Sequence, residues 1–289
     1  MKRLLFTSAI VMMALSCAMC ADAGKSNVAK CENAEISNFE VQQLFKSAKS
    51  FYKCLDTDIM YDEPTSIFLE TSVSIQWPVK IGDNNVKILQ DSIIAETFGK
   101  PLMSVDSAMI KCIGNPAGSE DLKKIEKVNS IPYANDNTRV WSSNTNVIAK
   151  IINERYAVYQ ISNDTYLGGA HPTYGASFIN YDVKNNKVLS YTDIFKAGSD
   201  NDVIAKITAR LIQQYNAKDK EALSSEIGIS TDALLASKNI YLSENAITFC
   251  YNQYEIACYA MGVIEVTIPS YELDSCLTPE AKKLFVTQQ

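Results

Sequence analysis

His171 is the only histidine in the 289-residue chain, and it stands in the segment YLGGAHPTYG, residues 166–175. An imidazole can act as a general base, a metal ligand or a hydrogen-bonding group in a turn. A single histidine excludes paired-histidine zinc motifs, and a catalytic triad would need a nucleophile that the fold brings beside it. The chain also lacks a G-x-S-x-G motif and a P-loop. We therefore assign no catalytic residue, metal site or cofactor from motifs.

Two interpretations of the segment around His171 stay open. In the first, Gly168 and Gly169 supply the positive φ angles of a turn, and the imidazole bonds nearby backbone or the Tyr181–Asp182 segment. In the second, the segment belongs to a polar and aromatic ligand-binding surface. The residues of that surface would be Tyr166, Gly168, Gly169, His171, Tyr174 and Tyr181.

Carboxylates offer a third, weaker interpretation. Glu255, Glu265, Glu272 and Asp274 lie close together in the sequence and could pair as the acids of a glycosidase. On the polar face of a strand, however, such side chains are usually just solvated. A hydrolase that uses His171 or a carboxylate pair is therefore an alternative behind binding functions.

The N-terminus predicts export. Lys2 and Arg3 precede an apolar or small run from Leu4 to Ser16, which is shorter than the about 20 residues that span a bilayer. Residues 1–23 are a predicted signal peptide, cleaved either after the ADA at 21–23 or before Cys17. The ALSC ending at Cys17 resembles a bacterial lipobox and implies lipidation of Cys17. We expect a periplasmic, outer-membrane or cell-surface protein that contacts the membrane only through that lipid.

Six cysteines lie beyond the leader, at positions 31, 54, 112, 250, 258 and 276. In an exported chain an even number permits disulfides, and buried thiols are the alternative. Cys250 and Cys258 form the candidate disulfide, because they flank the short polar stretch YNQYE where two extended segments could meet.

The composition is that of a globular protein, with 47% hydrophobic and 21% charged residues. The net charge of −6 argues against a nucleic-acid partner. We predict an α+β fold of two small modules, with mixed or antiparallel sheets and a few packed helices. A tether over 24–35 would lead to an N-terminal module over 36–163 and a C-terminal module over 164–289.

Local patterns place the main elements. We predict a strand over 66–79 that ends at Pro78, a helix from Val86 that Gly99 closes, and three or four strands between 140 and 195. A helix follows over 202–218, and Thr278 caps a short final helix. Residues 36–55 fit either a helix or a strand.

Two segments resemble the signatures of a known family. They are YLGGAHPTYGASFINYDVKNNKVLSYTDIF, residues 166–195, and FCYNQYEIACYAMGVIEVTIPSYEL, residues 249–273. The family is a bacterial envelope domain of unknown function that also occurs in the anti-sigma factor RsiV, the deacetylase PdaC and stand-alone Bacteroidetes lipoproteins. Its usual N-terminal companion module resembles residues around 74–93. Pro172 replaces the family's usual glycine, and Cys258 its usual proline, which strengthens the Cys250–Cys258 pairing.

The resemblance implies an extracytoplasmic binding or sensing domain. Only Met1, Lys2 and Arg3 precede the apolar run, so we expect no sigma-factor-binding segment, and one histidine leaves no metal-dependent deacetylase. We therefore expect a non-enzymatic exported protein that binds a cell-wall glycan or an envelope or host protein. A basic protein such as lysozyme, the family precedent, is the alternative partner.

Overall fold

The computed structural model describes residues 28–29, 39–54, 66–99, 103–114, 125–129, 138–231, 234 and 238–285. The strands are β1 Val28–Ala29, β2 Phe39–Cys54, β3 Ser66–Ile81, β4 Ile125–Val128, β5 Thr138–Ile152, β6 Tyr156–Tyr166, β7 Thr173–Asp182, β8 Lys187–Leu189, β9 Ile240–Ser243, β10 Ala246–Tyr251 and β11 Ile264–Pro269. The α-helices are α1 Lys87–Phe98, α2 Val105–Gly114, α3 Tyr191–Ile194, α4 Asp200–Gln214, α5 Lys220–Ala222 and α6 Pro279–Lys282. The predicted α+β class is confirmed.

Within these ranges the strands form two sheets. Eight strands make the first, in the order β1-β2-β3-β5-β6-β7-β8, with β4 also paired to β2. The β3–β5 pair is parallel and the other pairs are antiparallel. Strands β9, β10 and β11 form the second, antiparallel sheet, with β10 in its centre.

Strand β6 is buried on both faces in its first half. Tyr156 and Val158 pack into one core with the second sheet and α4, whereas Ala157 and Tyr159 pack into another core with α1 and α2. All four side chains are fully buried. Because side chains alternate along a strand, one four-residue stretch separates two hydrophobic cores.

The predicted module boundary between residues 163 and 164 is therefore wrong as a break in the fold. It falls inside β6, where Asn163 pairs with Thr145 of β5 and Asp164 pairs with Tyr174 of β7. The first sheet runs across the boundary without interruption. Two of the three hydrophobic clusters of the described residues meet at β6 instead.

Residues 39–54 form a strand, which decides the ambiguity over 36–55. β2 pairs with β3 from Phe39 to Lys53, so long-range pairing outweighs the helical spacing of its apolar residues.

Pro78 does not end β3, which continues to Ile81. The missing N–H is tolerated because the pairing of β3 with β5 has already ended at Ile75.

The remaining element predictions are largely confirmed. Gly99 closes α1 with φ 73°, four strands follow residue 138, and the Thr278 side chain accepts a hydrogen bond from Ala281 N at the start of α6. Helix α2 has no counterpart among the predicted elements. Residues 193–195, the DIF at the end of the first segment with the family resemblance, lie in and just after the short helix α3.

The N-terminal predictions fall mostly outside the described residues. This applies to the signal peptide, to Cys17 and to most of the tether. Val28 and Ala29, inside the predicted tether, pair with Gln42 and Val41, so this part is strand. None of the helices in the described ranges is long and apolar enough to cross a membrane.

Candidate functional site

The imidazole of His171 joins the two segments that carry the family resemblance. It stacks on the ring of Tyr259, with 3.6 Å between the ring centroids and 18° between the ring planes. Its Nε2 lies 3.1 Å from the Tyr254 hydroxyl oxygen. We call His171, Tyr254 and Tyr259 the aromatic patch. Eighty-three residues separate His171 from Tyr254 along the chain, so only the tertiary fold creates this contact.

Both ring nitrogens of His171 have partners. Nδ1 lies 3.0 Å from the carbonyl oxygen of Pro172, which can only accept a hydrogen bond. Nδ1 therefore carries the proton, and in the neutral ring Nε2 accepts from the Tyr254 hydroxyl. The imidazole is therefore fixed by one hydrogen bond at each ring nitrogen and by stacking on Tyr259.

The Gly-Gly-Ala-His segment is a turn between β6 and β7, and the predicted positive φ angles are confirmed. Gly168 has φ 91° and Gly169 has φ 87°. A Cβ atom on Gly168 would lie 3.3 Å from Nε1 of Trp141, whereas one on Gly169 would meet open space. The Tyr166 hydroxyl donates to the carbonyl oxygen of Gly169 at 3.2 Å and closes the turn.

The other half of the aromatic patch comes from the loop between β10 and β11, residues 252–263. Tyr254 has φ 67°, unusual for a residue other than glycine, and its side chain is 62% exposed. Ile256 anchors the loop because it is buried, and its carbonyl oxygen accepts from Ser230 N at 2.7 Å. The loop therefore presents Tyr254 outward from a fixed base.

Two amide side chains attach this loop to the edge of β7. Ala176 N donates to Asn252 Oδ1 at 2.8 Å, and Asn252 Nδ2 donates to Ala176 O at 3.1 Å. Tyr174 N donates to Gln253 Oε1 at 3.1 Å. These contacts replace the hydrogen bonds of a neighbouring strand, and they set the distance between the loop and the turn that bears His171.

Tyr174 and Tyr181 lie on opposite faces of β7. Tyr174 is 36% exposed, and its hydroxyl accepts from Gln160 Nε2 at 3.4 Å. Tyr181 is fully buried, and its hydroxyl donates to Asn186 Oδ1 at 2.5 Å. Burial, and then the charge of Asp182, raise the pKa of Tyr181. The prediction that Tyr181 belongs to the ligand-binding surface is wrong, because an odd separation along a strand turns a side chain to the other face.

The candidate disulfide is absent from the structure. Cys250 is buried in β10, Cys258 is exposed in the loop, and no bond joins them. Burial, followed by the charges of Glu265 and Glu255, raises the pKa of the Cys250 thiol to about 12. Cys258 has φ −67° and ψ 164°, a conformation that proline would also adopt.

The four carboxylates named from the sequence each have a structural partner. Glu255 accepts from Asn252 N at 3.0 Å, and Glu265 accepts from the Tyr241 hydroxyl at 3.3 Å. Glu272 pairs with Arg210 at 2.9 Å, and Asp274 pairs with Lys282 at 2.6 Å. No group of three or more His, Cys, Asp or Glu in the described part of the chain is arranged to hold a metal ion.

A groove of about 840 Å³ lies at the other end of the second sheet. It is beside the β9–β10 turn, and Pro269, Tyr271, Leu277 and Phe285 supply much of its apolar wall. Asp274 and Lys282 line it as an ion pair. None of the residues predicted as a binding surface lines this groove.

Sequence reasoning missed Asn252, Gln253, Tyr254 and Tyr259 as neighbours of His171. The resemblance named the two segments that contain all of these residues, but nothing in it showed that the segments touch. Because eighty-three residues separate His171 from Tyr254, no local pattern in the sequence indicates this contact.

The fold and this site define an α+β module with an aromatic surface formed by two segments of the chain. Residues 192–271 match the family described as "Protein of unknown function (DUF3298)". The match includes Tyr254 and Tyr259 but begins after the His171 turn.

Two crystal structures share the fold. One is a DUF3298 family member from Bacteroides fragilis NCTC 9343, with 23% identity and a TM-score of 0.58 over 84% of this chain and 97% of that one. The other is a DUF3298 family protein from Pseudomonas aeruginosa PAO1, with 16% identity and a TM-score of 0.51 over 86% of this chain and 98% of that one. No curated protein matches the sequence.

Proposed function

We propose that the chain is a non-enzymatic, exported envelope protein that binds cell-wall glycan at the aromatic patch. The observation that carries the proposal is the stacking of His171 on Tyr259 beside the exposed ring of Tyr254. A flat, exposed aromatic ring gives the C–H face of a sugar an apolar surface, and neighbouring hydroxyl groups can bond its polar edge.

The partners of His171 support binding over catalysis. The base of a hydrolase takes its proton from a bound water or from a serine, cysteine or threonine nucleophile, and the Tyr254 phenol that faces Nε2 is none of these. In this turn Nδ1 donates to Pro172 O and Nε2 accepts from Tyr254. The carboxylates considered as acids are engaged in caps, hydrogen bonds or ion pairs.

Export supports a ligand outside the cytoplasm. The basic and apolar N-terminal segment and the lipobox-like Cys17 are typical of an envelope lipoprotein. The family resemblance places similar domains beside cell-wall functions. These features, together with an aromatic patch that contains no lysine or arginine, favour a cell-wall glycan over a nucleic acid or an anionic polymer.

The test is retention on purified peptidoglycan sacculi. We expect the wild-type protein to sediment with the sacculi and Tyr254→Ala to weaken retention about tenfold, the effect of removing one central aromatic side chain. Tyr271→Ala is the matched control, because Tyr271 is also an exposed tyrosine, 74% accessible, but lines the distant groove.

Three results would overturn this proposal. The first is sedimentation no greater than that of an unrelated acidic lipoprotein. The second is equal retention of wild type and Tyr254→Ala. The third is release of new reducing ends from the sacculi, which would indicate a hydrolase. Binding to lysozyme that falls steeply with salt, without binding to sacculi, would favour the basic-protein alternative.

A further inference from the structure

We infer that the outer face of the first sheet is a second part of the same binding site and holds an extended, uncharged polysaccharide strand. This inference rests on the proposed function, because it extends the glycan from the aromatic patch across five strands. The face is defined by a line of side chains, the polar row: Ser47, Ser72, Asn144, Asp164 and Tyr174.

Strand register places these residues side by side. Ser47 pairs with Ser72, Ser72 with Asn144, Asn144 with Asp164, and Asp164 with Tyr174. Paired residues in adjacent strands point to the same face. At about 4.8 Å between neighbouring strands, the row extends for about 19 Å.

The polar row is open in the described part of the molecule. Ser47, Asp164 and Tyr174 are exposed, and Ser72 and Asn144 are partly exposed. On the same strands, the alternate residues Val73, Val147 and Ile161 are buried in the core beneath α1 and α2. The helices therefore cover one face of this part of the sheet and leave the other face available.

Two side chains of the row have hydrogen-bonding groups that are available to a ligand. The Ser72 hydroxyl donates to Asn144 Oδ1 at 2.7 Å, which fixes the orientation of that amide. Among the described residues, none accepts a hydrogen bond from the Asn144 NH₂ group or forms an ion pair with Asp164. An amide donor and a carboxylate acceptor thus lie on adjacent strands. This pairing suits hydroxyl and acetamido groups, which both donate and accept.

The charges and polarity of this face argue against a nucleic acid, an anionic polymer or a protein as its ligand. Lys49 and Glu70, which are paired neighbours on the same face, form an ion pair at 3.2 Å, so neither offers a free charge to a ligand. A nucleic acid or anionic polymer needs clustered lysine or arginine. A protein interface usually has an apolar centre; here serine and asparagine form the row, and the exposed apolar side chains of the same face, Phe45 and Val140, lie to either side of it. A neutral glycan fits both facts.

The second sheet and its β10–β11 loop bound the row on the β7 side. Phe178 of β7 packs on Tyr241 of β9, with 4.6 Å between ring centroids, and Lys150 lies over both rings. At the β7 edge, Tyr174 N is bonded to Gln253, the residue before Tyr254. The polar row therefore ends beside the loop that carries the aromatic patch, and one strand of polysaccharide could contact both.

The test compares a short and a long ligand by isothermal titration. The probes are N,N′-diacetylchitobiose, long enough for the patch alone, and chitohexaose, which also reaches the row. We expect chitohexaose to bind wild type about tenfold more tightly, as a few added hydrogen bonds would produce. In Asn144→Ala/Asp164→Ala the two affinities should become equal, with the chitobiose affinity unchanged.

Matched controls keep the outcomes distinct. Asn201→Ala, an exposed amide on α4, should preserve the length dependence, and thermal midpoints verify that each variant is folded. Equal affinity of wild type for both probes, or an unchanged double variant, would overturn the extended site while leaving the patch intact. If the wild-type protein binds neither probe, the proposed function itself is overturned. A change of oligomeric state in the double variant would mean that the face binds a second copy instead.

Discussion

The Asn252 side chain forms with Ala176 the pair of hydrogen bonds that an adjacent strand would otherwise supply. Oδ1 accepts from Ala176 N at 2.8 Å and Nδ2 donates to Ala176 O at 3.1 Å. Asn239 Nδ2 donates to the same carbonyl oxygen at 2.7 Å. The edge of β7 is thereby closed by side chains, which protects it from pairing with another chain.

Asn252→Ala should destabilise the protein by about 1–3 kcal/mol, because it leaves the main-chain groups of Ala176 without this partner. Urea unfolding measures the loss, and hydrogen exchange should accelerate at the amide of Ala176. Gln253→Ala is the control and should cost less, since its side chain accepts a single bond, from Tyr174 N. Equal exchange in Asn252→Ala and wild type would contradict this account of the edge.

The two glycines of the His171 turn should differ in their tolerance of alanine. Both have positive φ, so each substitution strains the backbone by about 1 kcal/mol. Gly168→Ala adds a contact of 3.3 Å with Trp141 Nε1, whereas Gly169→Ala meets no atom within 4 Å. Thermal unfolding should therefore rank Gly168→Ala as clearly less stable. The reverse order would show that the turn is not packed on Trp141.

Low pH should decrease the free energy of unfolding through protonation of Asp193. Burial alone would raise the pKa of this carboxyl, but hydrogen bonds from Lys187 and Ser190 lower it from 3.8 to about 2. A carboxyl whose pKa is lower in the folded state stabilises that state above the unfolded value, and the contribution disappears as pH falls from about 4 to about 2.

Asp193→Asn should accordingly cost about 1–2 kcal/mol at neutral pH and almost nothing near pH 2. Urea unfolding at both pH values gives the comparison. Ser190→Ala, which removes one hydroxyl bond and keeps the carboxylate, should show a smaller loss at neutral pH. A loss for Asp193→Asn that does not change with pH would show that its ionisation is not the cause.

Cys258→Pro should be neutral or stabilise the protein by up to about 1 kcal/mol. Its φ of −67° already matches proline, and a ring at this position reduces the freedom of the unfolded chain. Cys258→Ala separates this effect from loss of the thiol. A destabilised proline variant, measured by thermal unfolding, would show that the loop needs the Cys258 N–H.

Local patterns were sufficient for elements whose signals are local. Gly99 ends α1 and Thr278–Pro279 begin α6, as predicted, because the conformations at these helix ends depend on the residues themselves. β2 was ambiguous because Leu44, Phe45 and Ala48 satisfy a helical spacing. Its strand conformation depends on pairing with β3, which no window along β2 contains.

The candidate site was only partly predictable for the same reason. The glycine turn follows from two adjacent residues, but the contact of His171 with Tyr254 requires the second sheet to lie beside β7. Tyr181 was misplaced because the start of β7, and therefore its alternation, was not fixed in advance. Once β7 begins at Thr173, Tyr174 faces outward and Tyr181 inward.

The two-sided burial of β6 has a consequence for how this sequence can evolve. An ordinary strand accepts replacements at every other position, since one face meets water. From Tyr156 to Tyr159 each position is filled by one core or the other, so saturation mutagenesis should reveal four intolerant sites in succession. Junctions between units are usually the most variable part of a chain. Here the junction between the two cores, residues 156–159, should tolerate few substitutions.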